Sequence, residues 1–199
     1  MVRIKVPEDK EITFDEYNLM CAVAVDAKKL KKGKTIETTS QSMKTIGRNG
    51  AFLCVMAVVL FHVNRMMESP LGILFYVAAV LGLCGLIAIP FLWLSVKRAY
   101  QTAMTAVSEG DIVFDETGIY LERNGEKTFS STWEEFDHCY LLEDFIFLLI
   151  RKDQPRTLHL PSTESYRESV LNGLTEGKKE NEVTELEVCK GIIKVKESQ

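Results

Sequence analysis

From Leu71 to Val96 the chain runs for 26 residues without a formal charge. A helix in a water-soluble core is usually about 8 to 20 residues long and keeps one polar face for solvent. This run has no polar face anywhere along it, so its expected solvent is lipid. At about 1.5 Å per residue it would reach about 39 Å, more than the roughly 30 Å hydrocarbon core, and would cross with some tilt. Trp93, Lys97, Arg98 and Tyr100 make an interfacial girdle at its end, with rings at headgroup level and cations reaching phosphate. Pro90 removes a helix donor within the run and is the place where a kink is expected.

A second apolar run precedes it. Ala51 to Val63 is only 13 residues, but extension over Gly50 to Met67 restores the length of a span. His62, Asn64 and Arg65 then fall near one end, where Arg65 can snorkel to the interface. His62 has no acidic partner in either run and reads as an interfacial histidine. The two spans, about 50–67 and 71–96 within a transmembrane hairpin over 46–98, are joined by the short link Arg65 to Pro70. Lys28, Lys29, Lys31, Lys32, Lys34, Lys44 and Arg48 lie before the hairpin and Lys97 and Arg98 after it, whereas the link sets one Arg65 against Glu68. The positive-inside bias therefore predicts a multi-pass plasma-membrane protein with both termini in the cytoplasm. Lys28, Lys29, Lys31, Lys32, Arg48, Trp93, Lys97 and Arg98 are its expected membrane-interface residues, each cation worth about 1 kcal/mol near an anionic leaflet. Ala78, Gly82 and Gly85 form a small-residue face, suited to self-packing of the hairpin or to homo-oligomerisation through Gly82 and Gly85.

The soluble ends show other periods. In 1–45, Val2 to Val6 alternates like a strand. Thr13 and Glu16 offer a capping box for a helix from Phe14 to about Leu30, the basic juxtamembrane segment follows, and Thr35 to Ser42 reads as a polar linker. In 99–176, helical character persists to about Val107. Strands are then expected at 111–115, 118–123, 126–133, 136–142, 145–151 and 156–160. A tight turn at Glu116-Thr117 joins the first two, Asn124-Gly125 gives a hairpin, and Asp153-Gln154-Pro155 turns the chain before the last strand. Ser162 or Thr163 caps a helix that aligns Tyr166, Val170, Leu171 and Leu174 on one face, the natural lid for an antiparallel meander. The fold class is thus α+β: a two-helix transmembrane hairpin plus a small antiparallel sheet domain capped by a C-terminal helix. The tail, 177–199, suits either an extra strand over 183–195 or disorder.

A net charge of -4 argues against a nucleic-acid partner, because phosphate contacts need clustered cations. The five cysteines lack disulfide-framework or metal-ligand spacing, which fits a reducing compartment. No apolar segment follows a basic start at the N-terminus, so no cleavable signal peptide is expected. No Gly-rich phosphate loop, paired-cysteine motif or HExxH pattern occurs, and neither cofactor nor metal is expected. Asp137-His138-Cys139 is the one reactive-looking cluster. On a strand, however, His138 and Cys139 point to opposite faces, leaving His159 as the residue that would have to approach in the fold.

The "FDETGI" strand-turn-strand, the "STWEEFDHCYLLED" segment and the Leu160-Pro161 step before the last helix, taken with the strand, capped helix and hairpin upstream, resemble the bacterial YcxB-like family. The resemblance runs to about Leu174. It implies a cytosolic domain like a pleckstrin-homology fold, a curled sheet with one C-terminal helix, and brings no catalytic residue with it. Such a fold does not by itself imply phosphoinositide binding. Between Asp111 and Ile150 ten acidic residues face two basic ones, a balance that an anionic leaflet repels. The expected activity is that of a membrane-tethered interaction module, leaning away from enzyme. It binds lipid through the hairpin and a protein partner through Glu134, Glu135 and Asp137. Two other readings stand beside it: a membrane-dependent enzyme using His138, Cys139 or His159, and a small transporter or channel subunit.

Overall fold

Local turn chemistry sets out the strands of the computed structural model, which describes residues 1–6, 12–67, 72–105, 110–151 and 155–196. The 68–70 part of the hairpin link, the expected helix end beyond Thr105 and the Asp153-Gln154 turn lie outside the described residues. Strands β3 (Asp111–Phe114) and β4 (Gly118–Arg123) are joined through Asp115. Its Oδ1 accepts from the backbone N–H of Thr117 at 2.7 Å and of Gly118 at 3.0 Å, the Asx-turn chemistry that makes aspartate a good turn residue. Asn124 and Gly125 take φ of 51° and 83° between β4 and β5 (Glu126–Thr132), the left-handed pair a tight hairpin requires. Strand β1 (Val2–Lys5) pairs antiparallel with β3, giving a four-stranded sheet of order β1-β3-β4-β5.

The expected single meander divides after β5. Strands β6 (Phe136–Leu141), β7 (Phe145–Arg151) and β8 (Pro155–Pro161) belong to a second sheet. It is completed by β9 (Val183–Cys189), β10 (Ile192–Val195) and β2 (Ile36–Glu37), in the order β2-β10-β9-β6-β7-β8. The tail is therefore ordered sheet over 183–195, with β9 parallel to β6 and turned into β10 at Lys190-Gly191, whose φ values are 51° and 80°. Residues 35–42 are not a linker either. They supply β2 and the start of helix α2 (Thr39–Met67), where Thr38 Oγ1 accepts from the Gln41 N–H at 3.3 Å. The small polar residues that suggested a linker act as helix-start chemistry.

Strand β7 shows how the layers stack. Ile146, Leu148 and Ile150 point into a core shared with Ile112, Phe114, Ile119 and Leu121 of the first sheet. Phe145, Phe147 and Leu149 point the other way, into a core closed by helix α1 (Phe14–Leu30) through Leu19, Met20, Val23, Ala27 and Leu30. A strand buried on both faces reads as a continuous apolar run rather than an alternation, and "FIFLLI" is such a run. Helix α1 starts in the expected capping box: Glu16 N–H donates to Thr13 Oγ1 at 3.2 Å and Thr13 N–H to Glu16 Oε2 at 2.8 Å.

Helix α4 (Glu164–Glu176), capped by Thr163, places Val170 and Leu174 in the core between the sheets, the expected lid. Gly173 lets it approach: a Cβ there would lie 2.6 Å from the Phe114 ring. Arg167 clasps the helix to the second sheet, at the ends of β6 and β8 and within β9. It donates to Leu142 O at 2.7 Å and Ser162 Oγ at 2.8 Å, and its Nη1 lies 3.1 Å from a Glu185 carboxylate oxygen.

The helices α2 and α3 (Gly72–Thr105) pack on each other, and α3 continues through Pro90. Two segments of them, Thr39–Val63 and Tyr76–Gln101, are long and apolar enough to cross a membrane, with mean hydropathies of 1.7 and 2.4. Their contact is built on glycine: a Cβ on Gly82 would lie 2.8 Å from Cys54 Sγ and 2.9 Å from Gly50 O. The face carrying Gly82 is thus filled by α2 of the same chain. Tyr100, placed by its sequence in the girdle, instead meets α1, donating to Ile12 O at 2.8 Å with its ring 5.4 Å from Phe14 and 5.5 Å from Tyr17.

Candidate functional site

The three acidic residues expected to bind a partner have unequal surroundings. Glu134 and Glu135 lie where the chain leaves the first sheet, in a tight turn closed by Glu135 N–H donating to Thr132 O at 3.1 Å, and Asp137 lies just beyond it in β6. Glu134 is exposed. The Glu135 carboxylate turns inward and accepts from Ser131 Oγ at 3.0 Å and Thr132 N–H at 3.1 Å, fastening that turn. Asp137 sits between two cations, 2.7 Å from Arg151 Nε and 2.9 Å from Lys31 Nζ. Partial burial pushes its carboxyl up, but the hydrogen bonds from Arg151 and Lys31 outweigh this and hold it below the ordinary carboxylate value. Arg151 also donates to Ala24 O at 3.1 Å. Asp137 is therefore the hub that ties α1 to β6 and β7.

The basic residues divide in a similar way. Lys31 is engaged by Asp137 and lies 4.0 Å from Glu182, so it anchors the end of α1 on the second sheet. Lys29 pairs with Asp26 at 2.9 Å. Lys28 and Lys32 are exposed. At the end of the hairpin, Lys97 Nζ stands 4.9 Å from the centre of the Trp93 ring, Arg98 is exposed on the next residue, and Arg48 shares a cavity with Trp93. The sequence showed the charges but not which of them other parts of the chain would neutralise.

The reactive-looking cluster is split by the second sheet. His138 and Tyr140 lie on its α1-facing side, with ring centroids 4.7 Å apart, and Tyr140 stacks on Phe147 at 5.1 Å. His159 is opposite Phe147 in register, with its ring 5.2 Å from Phe145. Cys139 is fully buried on the other side, in the core between the sheets, and burial pushes its thiol well above the ordinary value. A thiol held protonated and separated from both imidazoles by a sheet has no base to activate it. His138 is occupied as well: Nδ1 lies 3.1 Å from Glu182 Oε2 and Nε2 2.7 Å from Thr184 Oγ1. The neutral ring with Nδ1 protonated satisfies both contacts, donating to the carboxylate and accepting from the hydroxyl. Burial lowers the His138 pKa and outweighs the Glu182 hydrogen bond that raises it. Among the described residues no group of three or more His, Cys, Asp or Glu is arranged to hold a metal ion. In the apolar helices His62 is exposed beside Phe61, and Ser95 is exposed near the girdle.

Among the described residues strand β5 is an edge of the first sheet, paired with β4 alone, and Glu126, Thr128, Ser130 and Thr132 are exposed along it, leading to Glu134. Phe129, on its other face, receives the Arg156 guanidinium 5.2 Å from its ring centre. No family model, curated protein or solved structure matches the chain.

Proposed function

We propose that this chain is a multi-pass membrane protein of the YcxB-like kind. Its α2–α3 hairpin holds a pleckstrin-homology-like binding module at the cytoplasmic face, where both termini lie. The membrane reading is supported by large apolar side chains facing outward on both helices, such as Phe52 at 63 % and Phe91 at 68 % exposure, an arrangement that water would penalise and lipid would not. The pleckstrin-homology-like reading is supported by two packed sheets whose shared core is closed by α4. Helix α1 and the β9–β10 hairpin are additions to that plan.

The module's activity is to bind a protein segment with a basic face. The carrying observation is the β5 edge, which has no strand neighbour but β4 among the described residues and carries exposed Glu126 and, just beyond it, Glu134. An extended peptide can join such an edge, main-chain bonds giving affinity and side chains specificity. Tethering to the membrane raises the effective concentration for a partner that is also held there. The enzyme reading loses its geometry once Cys139 and the two histidines stand on opposite faces.

Affinity capture of the full chain in mild detergent tests this, beside a copy carrying Glu126→Lys and Glu134→Lys. Reversal of Glu135 or Asp137 would confound the result, because both carboxylates hold the fold together. A partner recovered by the unaltered chain and lost from the reversed copy supports the module. Recovery of nothing above background by either copy contradicts it.

A further inference from the structure

Where α1 meets the hairpin, a cavity of about 500 Å³ opens between three helices. Ile89 and Trp93 of α3 and Phe14 of α1 give it apolar walls. Lys44 and Arg48, one turn apart on α2, line it too, and neither makes an ion pair among the described residues. Thr39 and Ser40 bring to the same cavity the first turn of the 29-residue α2, the end at which unpaired N–H groups and the helix dipole favour an anion. Asp15 is the single carboxylate on the lining among the described residues, so its balance is positive.

A second, independent observation points to a ligand. Asn18 lines the cavity, is only 6 % exposed, and its carboxamide makes no hydrogen bond among the described residues. Its Oδ1 is sealed from the cavity, which leaves the amide N–H2 as the group that can meet a ligand. Buried polar groups in native folds nearly always find a partner in protein, water or ligand. The cavity thus combines an apolar wall continuous with the outside of α3, an anion-favouring corner, and an amide donor that lacks an acceptor.

We infer that the cavity holds one phospholipid of the surrounding leaflet, of the net-anionic, glycerol-headgroup kind. Its phosphate sits on Lys44, Arg48 and the first turn of α2, a headgroup hydroxyl oxygen accepts from Asn18 Nδ2–H, and an acyl chain runs along Ile89 and Trp93. A choline headgroup offers no acceptor to Asn18 and no net charge to the cations. An ethanolamine headgroup fails in the same way, because its ammonium only donates and cancels the phosphate charge. The lipid would brace α1, and with it the second sheet, against the end of the hairpin. This inference rests on the membrane reading above.

The test uses the full chain in nanodiscs of equal phosphatidylglycerol, phosphatidylethanolamine and phosphatidylcholine, followed by detergent extraction and native mass spectrometry. The expected result is one retained lipid per chain, with phosphatidylglycerol favoured about ten-fold over the other two. Lys44→Gln with Arg48→Gln should bring that preference close to unity, and Asn18→Leu should reduce it, in variants whose circular dichroism matches the unaltered chain. Equal retention of the three lipids, or a preference that survives the double substitution, overturns the assignment. Displacement of the bound lipid by soluble glycerol 1-phosphate at millimolar concentration overturns the choice of a lipid, since a headgroup alone would then suffice. A chain that fails to enter nanodiscs overturns the membrane reading itself, a different outcome from one that enters and shows no preference.

Discussion

The hairpin and the two-sheet unit solve opposite problems with similar residues. In the sheets Phe114, Phe147, Leu148 and Ile150 are fully buried, whereas on the helices Phe52, Val58, Leu81 and Phe91 face outward. One region is held by apolar area removed from water. The other brings backbones close together at Gly50 and Gly82, the packing that the proposed lipid surroundings call for. The difference teaches that the same substitution has different costs in the two regions, and this can be measured.

The largest effect should come from Phe147→Ala. It empties the layer between β7 and α1 and should cost about 3 to 5 kcal/mol, read as a fall in the thermal midpoint of the whole unit. Arg167→Met comes next, at about 1.5 to 3 kcal/mol for lost charged hydrogen bonds. It should raise hydrogen exchange in both α4 and β9, because Arg167 reaches Leu142, Ser162 and Glu185 together. Gly82→Val overpacks the helix contact at about 1 to 3 kcal/mol. Exchange should rise in α2 and α3 while β6 and β7 keep their protection. Loss of a cross-linked dimer without that rise would instead assign Gly82 to contact between copies.

The smallest effect should be a pH dependence confined to the sheets. The folded state lowers the His138 pKa below the ordinary value of about 6.5, so the unfolded chain binds the extra proton first. Stability from the neutral ring is complete above about pH 6.5 and declines as pH falls below it. Thermal midpoints measured between pH 7.5 and 5 should show this slope, flattened by His138→Gln. Glu182, Thr184, Lys31 and Asp137 form the surroundings of the ring, and their contribution remains in that variant.

How much of this could be read beforehand differs between the regions as well. The apolar helices, the Thr13 capping box, the Asn124-Gly125 turn and the α4 lid each depend on residues close in sequence, and each forms as local chemistry indicates, except that α2 begins at Thr39, well before Gly50. The division into two sheets does not, because nothing between Thr132 and Phe136 says that pairing will restart with a new partner. Joining β9 to β6 brings together residues more than forty positions apart. Two local signals were present and unread: "FIFLLI" as a strand buried on both faces, and Lys190-Gly191 as a hairpin turn. At the acidic site the sequence showed three carboxylates. Only the fold separates Glu134, which is exposed, from Glu135 and Asp137, which hold a turn and a helix.

The contrast between regions is tested most directly by asking which solvent each exterior meets. A spin label at Phe91→Cys, with Cys84 and Cys189 replaced by serine, would be compared with one at Val188→Cys in the same lipid-reconstituted background. The account predicts that the label at 91 relaxes with dissolved oxygen and is shielded from a water-soluble nickel chelate, while the label at 188 does the reverse. A label at 91 as open to the nickel chelate as the one at 188 would contradict it.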